Sequence, residues 1–213
     1  MRAAPLFSQT DKTDRSANFE ITTINPVGPP DSPSASTAFL SLGSNQGRRH
    51  AHLQAAVTGL VERRGAAVTA VSPVYESEAH TLRPDAQNPP FLNAVVQVST
   101  TRSPEALLRL AHDLERAEGR RREAQRWAPR SLDVDLLAYD EVVRDEEPLT
   151  LPHPRLADRR FVLRPWADIA PNFVVPAPFQ EPVQVLLERC ADTAEICSTD
   201  LELNPSAATA PDS

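Results

Sequence analysis

Aromatic side chains are scarce in this chain, at 5% of 213 residues, and so are cysteines, glycines and above all lysines. Each shortage excludes something. Two cysteines, Cys190 and Cys197, are too few for a disulfide framework or a zinc site. If their segment is helical, they lie about 10 Å apart along its axis, beyond disulfide reach. Six glycines provide neither a G-x-G-x-x-G run nor a phosphate loop with its lysine. Lys12 is the single lysine, so arginine richness as such reflects composition rather than function. Apolar runs never approach membrane-spanning length, and the N-terminus lacks a signal-peptide core, so a soluble, cytoplasmic protein without membrane contact is expected. Positive charge is also short. A net charge of −7 argues against a general binder of nucleic acid or of anionic membranes.

What is present suffices for one core. Hydrophobic residues make up 40% of the chain, and the length suits one domain, placed at 37–190. Residues 1–36 are polar and rich in turn formers, so a disordered or loosely ordered extension is expected there. Residues 191–213 are expected to form a C-terminal tail. Thr37–Leu42 reads as a strand, followed by a glycine turn in which Gly43 makes the bend and Ser44 or Asn45 caps a helix. Leu53, Ala56, Val57, Leu60 and Val61 give the stripe of an amphipathic helix over Arg48–Arg64. Val68–Tyr75 returns to strand character. Glu76–Pro90 is a long loop of the kind that is disordered or functional. Phe91–Val98 is another strand. Ser103-Pro104-Glu105 starts a helix that Gly119 stops. Ala167–Pro176 reads as a turn region and Val183–Leu187 as a closing helix. The order βαββαβ predicts an α+β, ferredoxin-like sandwich with both helices on one face and extra C-terminal elements.

The chemistry gathers at 120–136. Leu132, Val134 and Leu136 alternate with Ser131, Asp133 and Asp135, the period of a half-buried strand. Two carboxylates two apart on a strand share a face, with Cα atoms about 6.5–7 Å apart. They can hold one cation or two bridged cations. Just upstream, Arg120, Arg121, Arg122, Arg126 and Arg130 face only Glu123. Aspartates for a metal and guanidinium forks for phosphate oxygens suit a magnesium polyphosphate. The same features have plain readings: a solvent-facing D-x-D, a solvated arginine face, and a tryptophan packed in a loop. Their adjacency favours the chemical one.

The segment R-R-R-E-A-Q-R-W-A-P-R-S-L-D-V-D-L resembles the signature of the hydroxymethyldihydropterin pyrophosphokinases, and the likeness extends from about Phe39 to Val175. The resemblance implies transfer of diphosphate from ATP to 6-hydroxymethyl-7,8-dihydropterin, with release of AMP, in folate biosynthesis. It implies two Mg²⁺ ions on Asp133 and Asp135, with Arg120 and Arg130 neutralising charge during the transfer. It places the pterin among Ser77, Phe91, Asn93, Trp127 and Phe161, two rings gripping a flat heterocycle while an amide reads its edge. It places ATP against Glu115, Arg122, Trp127, Arg130, Leu136, Thr150, His153 and Arg159. Pro148 and Pro154 depart from the family pattern near the adenine and ribose contacts.

Read without the resemblance, Glu115 is a solvated or arginine-paired acid near a helix end, His153 a structural histidine between prolines, and Phe91 and Phe161 core residues. Two other functions stay open: a different Mg-dependent phosphotransferase or phosphohydrolase, and a non-enzymatic anion- or RNA-binding ferredoxin-like module. Acidic pI and the lack of an aromatic RNA-binding strand weigh against the last, so no nucleic-acid partner is expected. A monomer is expected.

Overall fold

The computed structural model describes residues 35–78, 89–119 and 130–206. It begins with strand β1, Ser36–Ser44, and helix α1, Arg49–Glu62. Strands β2, Ala66–Val71, and β3, Tyr75–Ser77, precede the long β4, Phe91–Thr100. Helix α2, Pro104–Ala117, leads to β5, Asp133–Tyr139, and then to a hairpin of β6, Arg144–Glu146, and β7, Leu149–Leu151. Helices α3, Arg160–Ile169, and α4, Val183–Arg189, and strand β8, Ile196–Ser198, follow.

The main sheet runs β5-β1-β4-β3-β8, with β2 also paired to β4. Every pairing in it is antiparallel. Alternate residues of the central strands supply two cores. Leu40, Leu42, Ala94, Val96, Val134 and Leu136 point to one face and pack under α1 and α2. Phe39, Val95 and Leu137 point to the other, beneath α3 and α4. Covered on both sides, β4 carries apolar residues on both faces at Ala94, Val95 and Val96, where no alternation shows. The helix layers are held close. A Cβ at Gly59 of α1 would fall 2.3 Å from Leu114 Cδ2 of α2, so any larger residue there would force the Leu114 side chain to move.

The start of α2 is as its sequence predicts: Ser103 Oγ accepts from the Ala106 N–H at 3.3 Å, with Pro104 in the first turn. Other expectations need correction. Gly43 and Ser44 lie within β1, and α1 starts at Arg49 with Arg48, not Ser44 or Asn45, at its N-cap position and no side-chain cap. Val61 is exposed rather than part of the apolar stripe. The expected strand Val68–Tyr75 is broken at Ser72-Pro73, where proline has no N–H for the ladder and Ser72 Oγ instead accepts from the Val95 N–H at 2.9 Å.

The turn expected at Ala167–Pro176 begins only after α3 ends at Ile169. Pro165 in mid-helix hides the helical period from a reader of the sequence. Residues 191–206 are not a tail. Strand β8 pairs with β3, Leu203 is buried in the first core, and Gln54 and Asn204 exchange two bonds of 2.8 and 2.9 Å. Cys190 follows α4 and Cys197 lies on β8, so no single helix joins them, and both are free. Among the described residues, no helix is long and apolar enough to cross a membrane.

Candidate active site

Register brings the site together. Across the sheet, Asp133 of β5 is the partner of Gly43, Gly43 of Asn93, and Asn93 of Tyr75. One step along, Asp135 pairs with Ser41 and Ser41 with Val95. This is the face that α3 covers further along the strands. Gly43 makes the row concave. A Cβ there would meet Asn93 Oδ1 at 3.7 Å, Phe91 Cδ1 at 3.8 Å and the Asp133 Cβ at 3.9 Å. Anything larger than a methyl group would fill the space between the acid and the amide.

Each aspartate has its own arginine. Arg130 Nη1 donates to Asp133 Oδ1 at 2.7 Å, and Arg159 Nη1 to Asp135 Oδ2 at 3.2 Å. Arg130 is placed by Asn45, whose Oδ1 accepts from the Arg130 N–H at 2.7 Å while its own N–H donates to the Arg130 carbonyl at 3.1 Å. This role of Asn45 is not the helix cap that its sequence position suggests. The guanidinium of Arg159 also lies 5.8 Å from the centroid of the Phe161 ring, a cation–π distance.

His153 is tied to the same strand, its N–H donating to the Leu137 carbonyl at 2.8 Å. Its Nδ1 accepts from the Arg155 N–H at 3.1 Å, so in the neutral ring the proton sits on Nε2, 3.9 Å from Asp135 Oδ2. Burial pushes its pKa below the ordinary histidine value, with nearby Asp135 opposing that shift. A neutral imidazole with an N–H toward the acids is the consequence.

Glu115 is where its sequence position misleads most. It is buried beneath β5, not solvated, and its Oε1 accepts from the Val134 N–H at 2.9 Å. β5 is an edge strand, and this carboxylate answers an edge N–H lying between the two aspartates. Glu115→Ala should therefore cost about 1–3 kcal/mol in a denaturant titration, the loss for an orphaned buried donor. Glu115→Gln, which keeps an acceptor oxygen, should cost clearly less; equal losses would show that the bond contributes little.

On the pterin side proposed from the sequence, Asn93 Nδ2 donates to Ser77 Oγ at 2.9 Å, and both residues are buried. Phe91 and Phe161 are half-buried, so neither is the plain core residue that periodicity alone suggests. Thr150 is partly exposed between buried Leu149 and Leu151. Leu136 points into the first core, away from the aspartates, so its side chain does not share their face. Arg120, Arg122 and Trp127 lie outside the described residues.

Hard carboxylate oxygens suit Mg²⁺, which keeps most of its ligands as water or phosphate oxygens rather than taking a full protein cage. Among the described residues no cluster of three or more His, Cys, Asp or Glu could hold an ion unaided, so an ion on the two aspartates would need further ligands. Two acids on one strand, each bonded to an arginine, thus lie in register with a buried amide two strands away.

Comparison with known proteins supplies the class. The family model described as 7,8-dihydro-6-hydroxymethylpterin-pyrophosphokinase matches residues 39–171. The 2-amino-4-hydroxy-6-hydroxymethyldihydropteridine pyrophosphokinase of Bacillus subtilis is 40% identical over 132 residues, 62% of this chain and 77% of that protein. The enzyme of the same name from Methylorubrum extorquens is 41% identical over 138 residues, 65% of this chain and 85% of that one. Among solved structures, wild-type Plasmodium falciparum HPPK-DHPS matches with a TM-score of 0.55 at 14% identity, over 73% of this chain and 44% of that longer one. At that identity the likeness concerns the fold. The chain belongs to the 7,8-dihydro-6-hydroxymethylpterin-pyrophosphokinase family.

Proposed function

We propose that this chain transfers the terminal diphosphate of ATP to the hydroxymethyl group of 6-hydroxymethyl-7,8-dihydropterin, releasing AMP, as a pyrophosphokinase of folate biosynthesis. The observation that carries the residue assignment is the row from Asp133 through Gly43 to Asn93. It brings the acid assigned to the metal and the amide assigned to the heterocycle level with each other on β5 and β4, the two strands that flank β1. Asp133 and Asp135 hold two Mg²⁺ ions together with the triphosphate. Bound there, the metal supplies charge stabilisation to the attacking and leaving oxygens at the β-phosphorus.

The chain's own groups do the rest by position and charge. Arg130 and Arg159 sit within hydrogen-bond reach of the two acids and can turn their remaining N–H groups to phosphate oxygens. Arg120, Arg122 and Trp127 are assigned to the phosphates and to the base and pterin rings by their place in the family signature. His153 Nε2–H and Thr150 are assigned to the nucleotide. Glu115 enters as the support of the Val134 peptide rather than as a nucleotide contact. Asn93 reads the polar edge of the pterin while Ser77 fixes its orientation, and Phe91 and Phe161 bracket the ring. No side chain is nominated as general base. The antiparallel order β5-β1-β4-β2, with α1 and α2 on one face, supports a ferredoxin-like βαββαβ core to which β3, β8, α3 and α4 are added.

Incubation of the protein with Mg-ATP and 6-hydroxymethyl-7,8-dihydropterin, with chromatography of the nucleotides, tests the reading. Pterin-dependent AMP and a pterin diphosphate are expected. ADP or inorganic phosphate would point to a different phosphotransferase or phosphohydrolase. Within the site, Phe161→Ala should weaken pterin binding about ten- to a hundredfold, the range for losing one aromatic face of about 1.5–3 kcal/mol. ATP binding, followed by calorimetry, should barely change; equal losses for both ligands would remove Phe161 from the pterin pocket.

A further inference from the structure

Helix α3 crosses the sheet like a bar fixed at both ends. At its start, Arg159 bonds Asp135 of β5. Towards its other end, Asp168 and Arg164 meet Tyr75 of β3. From residue 159 to 168 a helix advances about 13–14 Å, and the three gaps that separate β5, β1, β4 and β3 add up to about 14 Å. The helix is therefore the length of the four-strand span that it crosses, and Phe161 sits on its first turn.

The contact at Tyr75 is a closed set of bonds. Tyr75 Oη donates to Asp168 Oδ2 at 2.6 Å and accepts from Arg164 Nε at 3.2 Å, while Arg164 Nη2 donates to Asp168 Oδ1 at 2.5 Å. The Arg164 guanidinium also lies 6.0 Å from the centroid of the tyrosine ring. Tyr75 is only 8% exposed, and burial together with Asp168 raises its pKa, so the hydroxyl stays a donor. In register, Tyr75 is the partner of Asn93, and two residues on, Ser77 bonds the Asn93 amide. One three-residue strand thus bonds both the Asn93 amide and the helix that carries Phe161. Neither the family signature nor the reading of the aspartates gives Tyr75, Arg164 or Asp168 a part.

We propose that Tyr75, clamped by Arg164 and Asp168, is a positioning residue that sets Phe161 against Phe91 and Asn93 and so tunes affinity for the pterin. This rests on the pterin reading proposed above. Tyr75 acts through α3 and does not itself enter the reaction.

The test is Tyr75→Phe, which keeps the ring in the core and removes only the hydroxyl, measured alone and combined with Phe161→Ala. Binding of 6-hydroxymethyl-7,8-dihydropterin is followed by fluorescence in the presence of a non-hydrolysable ATP analogue, and binding of the analogue alone by calorimetry. Tyr75→Phe should raise the pterin Kd about five- to tenfold, the scale of a lost hydrogen bond of about 1–1.4 kcal/mol. The Kd of the analogue should stay constant. In the Phe161→Ala background the same change should add nothing, because the group being positioned is gone. An unchanged pterin Kd, an equal loss for both ligands, or a penalty that persists without Phe161 would each overturn the proposal. A wild-type protein that ignores the pterin would instead fail at the first titration and remove the functional reading itself.

Discussion

Asp135→Ala is expected to lower turnover about a thousandfold or more, while unfolding free energy moves by less than about 1 kcal/mol. The two magnitudes come from different physics. A metal-stabilised phosphoryl transfer that loses a metal carboxylate forfeits on the order of 4 kcal/mol in the transition state. The pair between Asp135 and Arg159, by contrast, spans 3.2 Å with the carboxylate about a third exposed, and pairs of that kind contribute about 0–1 kcal/mol to stability. Turnover by product chromatography, thermal melts and Mn²⁺ binding by electron paramagnetic resonance separate them. Retained turnover would end the metal assignment. A collapsed melt would make Asp135 structural instead. Asp133→Ala should behave alike, with Arg130 as the arginine left without its acid.

Trp166→Ala carries the largest expected stability loss. The side chain is fully buried in the second core, 5.1 Å between ring centroids from Phe39 and 5.8 Å from Phe173. Removing a large ring from such a site costs about 3–5 kcal/mol, transfer and cavity terms together. For a domain of this size that is a fall in Tm of about 6–20 °C. Denaturant titration of the wild type and the variant measures it directly. A loss below about 1 kcal/mol would mean that α3 rests on the sheet without depending on this cluster.

The shared face of the two aspartates could be read from the sequence because the first half of β5, residues 133–136, buries only one face, so its alternation survives in the letters. The start of α2 was equally legible, since serine, proline and glutamate at a helix entrance act within one turn. What the letters hide depends on residues far apart in sequence. Asn45 looks like a helix cap until the backbone of Arg130 takes its side chain. Glu115 looks solvated until β5 lies over it with an unanswered N–H. Tyr75 sits in an ordinary apolar stretch, and only a helix 89 residues on reveals its partner Arg164. Helix α3 was obscured for a local reason, a proline in its middle.

The alignment of the acids, the glycine and the amide in one row bears on folding fidelity as well as on chemistry. Side chains of a strand change face with every residue, so pairing β5 to β1 one residue out of step would turn Asp133 and Asp135 into the apolar core beneath α1 and α2. Two uncompensated carboxylates there would cost many times what any single apolar contact returns. Leu136 and Val134 would be pushed out to the polar side in the same movement. The groups assigned to the metal thus also reject the wrong register. A variant in which both acids are replaced by apolar residues loses that discrimination, and β5 becomes free to pair in either phase.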